Sequence, residues 1–445
     1  MFAVRTDAQV SENLLARLAD ARSQTDALFD VVRPDSLYER PIAERHRIVF
    51  YLGHLEAFDW NLLRVRVLNR KTFQPEFDRL FAFGIDPVDG GLPADQPADW
   101  PSLAEIHRYV SRVRTSLDDG LATAFSFGAT PEQEDVPASV LLNVAIEHRL
   151  MHAETLSYML HRLPLERKRR EQGVPALIAR PIVPAMLKIP AGFVTLGLSR
   201  SDRTAFGWDN EYEAHHVTVP AFAIDQYKVS NGQYLEFVAA GGYENRALWT
   251  EDSWRWRAEN GITQPAFWKR IEDRWYFRAM FEEVPLPLDW PVYVSHAEAS
   301  AFAVWSGKSL PTEAQWQRAA YGAPHGSERA YPWGTAAPGR VHGNFDFQSW
   351  DPVSLGAFPE DRSAFGVSGM LGNGWEWTAT VFAPFDGFEP FEFYPGYSAD
   401  FFDGRHYVAK GGSARTAACL LRRSFRNWFQ PRYPYVYAGF RCVSQ

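Results

Sequence analysis

Three histidines are the residues of this sequence best suited to metal chemistry. His148 and His152 are four residues apart in the segment Ile-Glu-His-Arg-Leu-Met-His, so a helix would place both imidazoles on one face, one turn apart. His54 lies in an earlier segment that also has a helical pattern. Three imidazoles without nearby thiolates suit a borderline divalent metal that keeps open coordination positions. The sequence therefore indicates a metalloenzyme.

Glu154 is close to this pair in sequence, but a regular helix turns it away. At about 100° per residue, its side chain points about 200° from His152 and about 240° from His148. We therefore predict a three-histidine ligand set, with Glu154 contacting a ligand or the substrate; a surface carboxylate is the alternative interpretation. Three other histidines are predicted not to bind metal, because charged neighbours or polar helix faces surround them: His46, His107 and His161.

The elements that must position these histidines are helices. Residues 1–165 have few Gly and Pro outside one loop, and their apolar residues recur at three- and four-residue spacing. Four helices are predicted near 10–32, 43–68, 102–124 and 137–162, with an irregular segment at 84–101. Such helices predict an up-down bundle, a fold that builds metal sites from side chains on facing helices.

The character of the chain changes after this region. Residues 166–187 are first basic and then rich in Pro, which predicts a linker. In 188–445, short strand-like runs such as 193–196 and 216–219 alternate with turns. Only two helices are predicted there, 229–240 and 295–306, each starting with a Ser that could cap it. The predicted fold class is therefore α+β, a helical bundle followed by an irregular domain.

Composition excludes several classes of protein. The 445 residues carry a net charge of −8 with mixed signs, and the basic run 167–170 is interpreted as a solvated helix end, so no nucleic-acid partner is predicted. Two cysteines cannot form a disulfide framework. Because the sequence has no long apolar run and no secretory signal pattern, we predict a soluble, cytoplasmic protein with no membrane partner.

Two parts of the sequence are similar to known families. The arrangement His54, His148-x-x-x-His152-x-Glu154 resembles the DinB-like domains of the nonheme-iron sulfoxide synthases of ergothioneine biosynthesis. The region 188–445 resembles the formylglycine-generating-enzyme (sulfatase-modifying factor) domain, an irregular C-type-lectin-like fold. Six motifs in the same order carry this second resemblance: 189–193, 310–316, 369–378, 410–413, 425–428 and 439–441.

The resemblance implies a reaction and its participants. Fe(II) held by the three histidines would bind the imidazole of hercynine (trimethylhistidine), a chalcogen donor and O2, and a carbon–chalcogen bond would form on the imidazole ring. Asn427 and Trp428 would face the betaine, where an aromatic ring attracts a trimethylammonium. Further substrate contacts are predicted at Met151, Arg426, Phe429 and Phe83. Proton donors are predicted at Tyr394 and Tyr397, packed loop tyrosines being the alternative interpretation.

Departures from these families narrow the choice. A formylglycine-generating enzyme needs two copper-binding cysteines soon after the Gly-Gly-Ser segment, but Cys419 is the one cysteine that closely follows Gly411-Gly412-Ser413. The loop segment 81–91 has two aspartates and no arginine, so it is a poor receptor for a dianionic γ-glutamylcysteine. This loop and the segment 44–61 resemble the selenoneine-synthase branch, whose donor is a selenosugar. The alternatives are a cysteine- or γ-glutamylcysteine-using sulfoxide synthase and a non-catalytic lectin-like binding protein.

Overall fold

The computed structural model describes residues 7–84, 92–126, 136–169, 182–202 and 204–445. The chain divides into two compact units, Met1–Glu171 and Gln172–Gln445. The first is helical and the second contains small sheets and short helices, which confirms the predicted α+β class. The boundary between the units falls inside the predicted linker 166–187, of which residues 170–181 lie outside the described ranges.

The first unit consists of helices in its described part: α1 (Asp7–Val31), α2 (Ile48–Arg66), α3 (Pro75–Phe83), α4 (Leu103–Ser126) and α5 (Ala138–Arg162). The four long helices correspond to the four predicted ones, although α2 begins at residue 48 rather than 43. The nine-residue α3 was not predicted. Its start carries a recognisable signal, because a proline in the first turn followed by acidic residues favours helix initiation.

A network of charged side chains joins four of these helices. Arg149 of α5 is fully buried, and its guanidinium lies 2.6 Å from Asp59 and 3.0 Å from Glu56, both of α2. Arg114 of α4 reaches Glu56 at 2.7 Å and also contacts Asp26 of α1. Because a buried charge that loses its partner is costly, this network fixes the position of α5 along α2.

The described part of the second unit contains four short helices: α6 (Asn231–Ala239), α7 (Glu251–Glu259), α8 (His296–Trp305) and α9 (Glu313–Tyr321). The helices predicted at 229–240 and 295–306 are α6 and α8, and Ser230 and Ser295 cap them as predicted. The prediction of only two helices was wrong. Its error at α9 has a clear cause, because Thr312 and Gln315 form a capping box that a search for a serine misses.

Two sheets of the second unit are formed by its first four strands and its last strand. A three-stranded antiparallel sheet has the order β1-β4-β12, with β1 (Met186–Ile189), β4 (Phe222–Asp225) and β12 (Val443–Ser444). An antiparallel pair joins β2 (Gly192–Leu196) to β3 (His215–Val219). The pair confirms the strands predicted at 193–196 and 216–219. Nowhere in the described ranges does a helix have the length and apolar character that a bilayer crossing requires.

The other two described sheets complete this unit. An antiparallel sheet contains β5 (Trp268–Ile271), β6 (Arg274–Arg278) and β7 (Glu283–Pro285). A four-stranded sheet has the order β10-β9-β8-β11, with β8 (Trp375–Val381), β9 (Tyr407–Lys410), β10 (Asn427–Phe429) and β11 (Ala438–Gly439). Only β11 runs parallel to its neighbour in this sheet. Four of the sequence motifs therefore meet in one sheet, through β8, β9, β10 and β11.

Buried ion pairs connect the motifs of the second unit. Glu376 of β8 accepts a hydrogen bond from Arg441 at 2.6 Å and lies 3.2 Å from the Lys228 ammonium. Glu313, at the start of α9, accepts one from Arg426 at 3.0 Å. All five side chains are buried. These ion pairs therefore hold the motifs together, since removing one partner would leave a buried charge uncompensated.

Candidate metal centre

The three predicted metal ligands come together in the first unit. The Nε2 atom of His152 lies 3.2 Å from Nε2 of His54 and 3.2 Å from Nε2 of His148. Nitrogens bound to one ion at about 2.1 Å, with about 100° between them, are about 3.2 Å apart. In the described ranges this is the one group of histidine, cysteine or carboxylate side chains with such spacing. The arrangement fits a divalent metal ion held by three imidazoles.

The environment keeps all three imidazoles neutral. Burial lowers the pKa of His54 to about 4, the hydrogen bond to Phe81 opposes this change, and repulsion from nearby His46 and Arg149 adds to it. Burial also lowers the pKa of His148 and His152 well below the usual value, with further lowering from neighbouring histidines and Arg149. Because only a neutral imidazole has a free lone pair on its second nitrogen, these groups are ready to bind metal at neutral pH.

The last turn of α3 orients His54. Its Nδ1 atom donates a hydrogen bond to the carbonyl oxygen of Phe81 at 2.7 Å, which assigns the proton to Nδ1 and leaves the Nε2 lone pair facing the other histidines. Such contacts fix the tautomer and the ring orientation of metal-binding histidines. Sequence reasoning missed this contact because it did not predict α3.

Aromatic rings of α2 hold two of the imidazoles. His148 stacks on Phe58 with 3.4 Å between ring centroids and 12° between planes, and His54 stacks on Phe50 at 4.6 Å and 26°. Tyr51 lies 5.6 Å from the His152 ring. These rings limit rotation of the ligands and surround them with apolar surface. Their positions could have been read from the sequence, since Phe50 and Phe58 are each four residues from His54 on one helix face.

Arg45 and His46 lie beside the cluster. His46, predicted not to be a ligand, is outside the three-histidine group and packs against Phe50 at 4.1 Å between centroids. Arg45 and His46 both disfavour protonation of His152 and contribute to its lowered pKa. Arg45 also lies over the ring of Tyr158 at 5.7 Å. Arg45 therefore places a positive charge on one side of the metal cluster. The sequence did not predict this role for Arg45.

The remaining predicted residues of the first unit are distributed around α5 and α3. Glu154 is buried and lies outside the ligand group, and Met151 is half-buried; their contacts with substrate stay predictions. Phe83 is the last residue of α3, and its side chain, like loop residues 85–91, lies outside the described ranges. His161 is fully buried, so its predicted position on a polar face was wrong because α5 is covered almost all round.

Three predicted substrate contacts form one strand of the second unit. Asn427, Trp428 and Phe429 are β10, and all three are half-buried. Trp428 stacks on Phe382 at 4.3 Å and 6°, and Tyr397 meets it edge-on at 5.4 Å. The structure thus surrounds this tryptophan with aromatic rings. Contact of these residues with a substrate stays a prediction.

Of the other predicted residues of this unit, Arg426 and Tyr397 are buried and Tyr394 is half-buried. Arg426 is buried, bound to Glu313 and lying over the Phe385 ring at 4.0 Å. Tyr397 stacks on Trp208 at 3.9 Å. Burial, with the nearby Asp209 carboxylate, raises the pKa of Tyr394 to about 12, so this tyrosine keeps its proton at neutral pH. The roles predicted for these residues in substrate binding and proton transfer stay predictions.

Comparisons with known proteins cover both units. Residues 172–445 match the sulfatase-modifying factor enzyme 1-like domain, and residues 17–156 match the DinB superfamily. A hercynine oxygenase of Mycolicibacterium thermoresistibile is 36% identical over 97% of this chain and 94% of its own length. The hercynine oxygenase of Mycobacterium tuberculosis is 37% identical over 77% of this chain and 78% of its own. The chain belongs to the family of the hercynine oxygenases.

This membership confirms the resemblance on which the sequence analysis relied. Ergothioneine biosynthesis protein 1 of Neurospora crassa is also similar, 28% identical over 94% of this chain and 56% of its own length. As a member of the hercynine oxygenase family, the chain is an oxidative enzyme. The alternative of a non-catalytic lectin-like binding protein is therefore wrong.

Proposed function

We propose that this protein is a nonheme Fe(II), O2-dependent enzyme that joins selenium from a selenosugar donor to the imidazole ring of hercynine. The observation that carries the metal-dependent part is the three-imidazole cluster of His54, His148 and His152, whose Nε2 atoms lie 3.2 Å apart in two of the pairs. Membership of the hercynine oxygenase family supports hercynine as substrate. The choice of donor depends on the charge of the surrounding residues.

The ligand set fits iron chemically. Neutral imidazoles bind iron, copper, nickel and zinc, and three of them leave coordination positions open. Bound Fe(II) would supply those positions to the imidazole of hercynine, the donor and dioxygen. The protein's part is to keep its histidines unprotonated, to hold His54 through the Phe81 carbonyl, and to surround the rings with Phe50 and Phe58. The Phe81 carbonyl and the two phenylalanine rings orient the ligands before any metal binds.

Trp428 is the proposed contact for the trimethylammonium of hercynine. A tryptophan face attracts a quaternary ammonium through its ring quadrupole, by about 0.5–2 kcal/mol depending on exposure. Trp428 is held rigidly by its stacking on Phe382 and its edge contact with Tyr397, so little side-chain entropy is lost when a cation binds. Arg426, which is bound to Glu313, directly precedes the strand that carries Trp428 and fixes the start of that strand.

A selenosugar is the proposed donor because the loop after α3 lacks cations. Residues 80–101 contain no lysine or arginine. The arginines that approach the described part of this loop are engaged with it, since the Arg47 Nε donates to Asp95 at 2.9 Å and Arg40 also contacts this carboxylate. A dianionic thiol donor would need unengaged guanidinium groups for its carboxylates. An uncharged, hydroxyl-rich donor needs only hydrogen-bonding groups.

The second candidate is sulfur transfer from cysteine or γ-glutamylcysteine. Arg45 favours it, because this cation is close enough to His152 to lower its pKa and could attract a donor carboxylate. Relatives named for ergothioneine biosynthesis favour it as well. The two candidates differ only in the donor, so one competition experiment separates them.

The test offers iron-loaded protein hercynine together with selenosugar, cysteine and γ-glutamylcysteine in equal amounts, with and without oxygen. We expect an oxygen-dependent product that contains selenium, identified by its isotope pattern in mass spectrometry. A preference for either thiol would establish the second candidate instead. Absence of any hercynine product from all three donors, in protein that retains iron, would contradict both candidates.

A further inference from the structure

A close approach between α2 and α3 lies directly behind the metal ligand His54. The neighbouring residue, Gly53, has no side chain, and a Cβ atom built there would lie 2.3 Å from Cδ1 of Phe81. Real Cβ atoms essentially never come that close to another heavy atom. Gly53 therefore allows the Phe81 ring, and with it the end of α3, to lie against the helix that carries His54.

The Phe81 ring cannot retreat from this contact. It is fully buried, it stacks on Tyr109 with 5.8 Å between centroids, and it lies 5.6 Å from Phe77 and 6.3 Å from Trp100. Protein interiors are packed closely enough that an added methyl group is accommodated by displacement of the backbone or by strain. An extra carbon at position 53 would therefore push α3 away from α2.

The same turn of α3 supplies the acceptor for His54. Carbonyl groups in the last turn of a helix have no partner within the helix, and here the Phe81 carbonyl accepts the Nδ1 hydrogen of His54 at 2.7 Å. The preceding carbonyl, of Leu80, accepts from the backbone of Gly84 at 2.7 Å. In contrast, the buried Nδ1 atom of His152 has no hydrogen-bond partner in the described part of the chain. Phe81 thus contributes an orienting contact that His152 lacks.

We propose that Gly53 and the last turn of α3 form a positioning device for the metal ligand His54. Gly53 and Phe81 are positioning residues, because they act on the metal only through the orientation of the His54 imidazole. The proposal deepens the proposed function and rests on it in one respect, since a metal bound at the three histidines reports the orientation. It makes α3, a helix without any ligand of its own, part of the metal site.

The test compares Co(II) binding by metal-free wild-type protein and by the Gly53→Ala variant, monitored through the visible absorption of bound Co(II). Loss of an orienting contact typically weakens metal binding by about 10- to 100-fold, and we expect a loss in this range although all three histidines remain. The matched control is Gly120→Ala in α4, where a Cβ would lie 2.8 Å from Leu68, a residue outside the metal cluster. The control should bind Co(II) within about twofold of wild type.

A second variant separates positioning from general damage. Phe81→Ala removes the ring but keeps the backbone carbonyl, so in the double variant Gly53→Ala/Phe81→Ala the clash is gone. We expect the double variant to recover the Co(II) affinity of Phe81→Ala alone. Unchanged affinity in Gly53→Ala, an equal loss in Gly120→Ala, or no recovery in a folded double variant would overturn the proposal. Equal Co(II) binding by wild type and His148→Ala would instead contradict the proposed metal site itself.

Discussion

The two units of this protein bury polar side chains in different ways. In the second unit, the Glu376 carboxylate has the opposite charges of Arg441 and Lys228 beside it, at 2.6 and 3.2 Å. In the first unit, three bases of the same kind, from α2 and α5, lie together, and the central His152 is 3.2 Å from each of the other two. The first arrangement is complete in the sense that each charge has an opposite charge beside it. The second lowers the pKa of its own members and becomes complete only when a cation binds.

This difference separates residues that hold the fold together from the residues proposed to bind the metal. The first unit shows both arrangements next to each other, because Arg149, paired with Asp59 and Glu56, directly follows the predicted ligand His148. The distinction therefore applies to each cluster of side chains and not to each domain. The same distinction explains why the motifs of the second unit do not indicate which reaction takes place. Several of their charged residues form ion pairs within the fold.

Breaking a complete cluster should have the largest effect on stability. In Glu376→Ala the buried charges of Arg441 and Lys228 lose their partner, and we expect the free energy of unfolding to fall by about 3–5 kcal/mol. Urea denaturation measures this change. The matched control is Glu283→Ala, which breaks the exposed pair of Glu283 with Lys269 and should cost less than about 1 kcal/mol. Equal losses in the two variants would refute the distinction between the clusters.

Breaking the incomplete cluster should instead abolish metal binding. Since a lost orienting contact already weakens metal binding by about 10- to 100-fold, we expect His148→Ala to lose at least about 100-fold in Co(II) affinity. His107→Ala is the matched control, because His107 is exposed on α4. Metal titration followed by visible absorption measures both. If His107→Ala lost as much metal as His148→Ala, the three-histidine assignment would be wrong.

The buried histidines should make the metal-free protein less stable at low pH. The folded protein holds the pKa of His54 at about 4, below its ordinary value of 6.5, so the unfolded chain binds more protons between these values. The free energy of unfolding of the metal-free protein should therefore fall as pH falls through this window, by on the order of 3 kcal/mol for His54 alone. Above the window it should stay level. Urea denaturation at several pH values measures the slope, and His54→Gln should reduce it. An unchanged slope in that variant would assign the effect to other groups.

The parts predicted from sequence were those that local patterns determine. The spacing of His148 and His152, the apolar periodicity of the long helices and the serine caps of α6 and α8 are all properties of short segments. Helical geometry also predicted that Glu154 is not a metal ligand, and the ligand group leaves it out. His54 could be predicted as the third ligand only from the family resemblance and from the tendency of helical bundles to build metal sites from side chains on facing helices.

The parts not predicted depend on contacts between distant segments. The Phe81 carbonyl reaches His54 only because Gly53 lets α3 approach, and no periodic pattern records that contact. His161 was predicted to lie on a polar helix face, but this helix is buried on nearly all sides by contacts with other segments. The charged motif residues Glu313 and Arg426 gave no sign from sequence that they would pair with each other.

The smallest expected effect concerns Trp428, the aromatic residue of the second unit with a proposed role in binding. In Trp428→Leu the cation–π attraction to the trimethylammonium is lost, and we expect hercynine binding to weaken by about 0.5–2 kcal/mol, measured by calorimetry. The control is Trp333→Leu, a half-buried tryptophan that stacks on Tyr331 at 5.5 Å and on His342 at 4.4 Å. Histidine, which lacks the three methyl groups, should be affected less than hercynine. Equal weakening for both ligands, or in both variants, would mean that Trp428 supports the fold as Glu376 does.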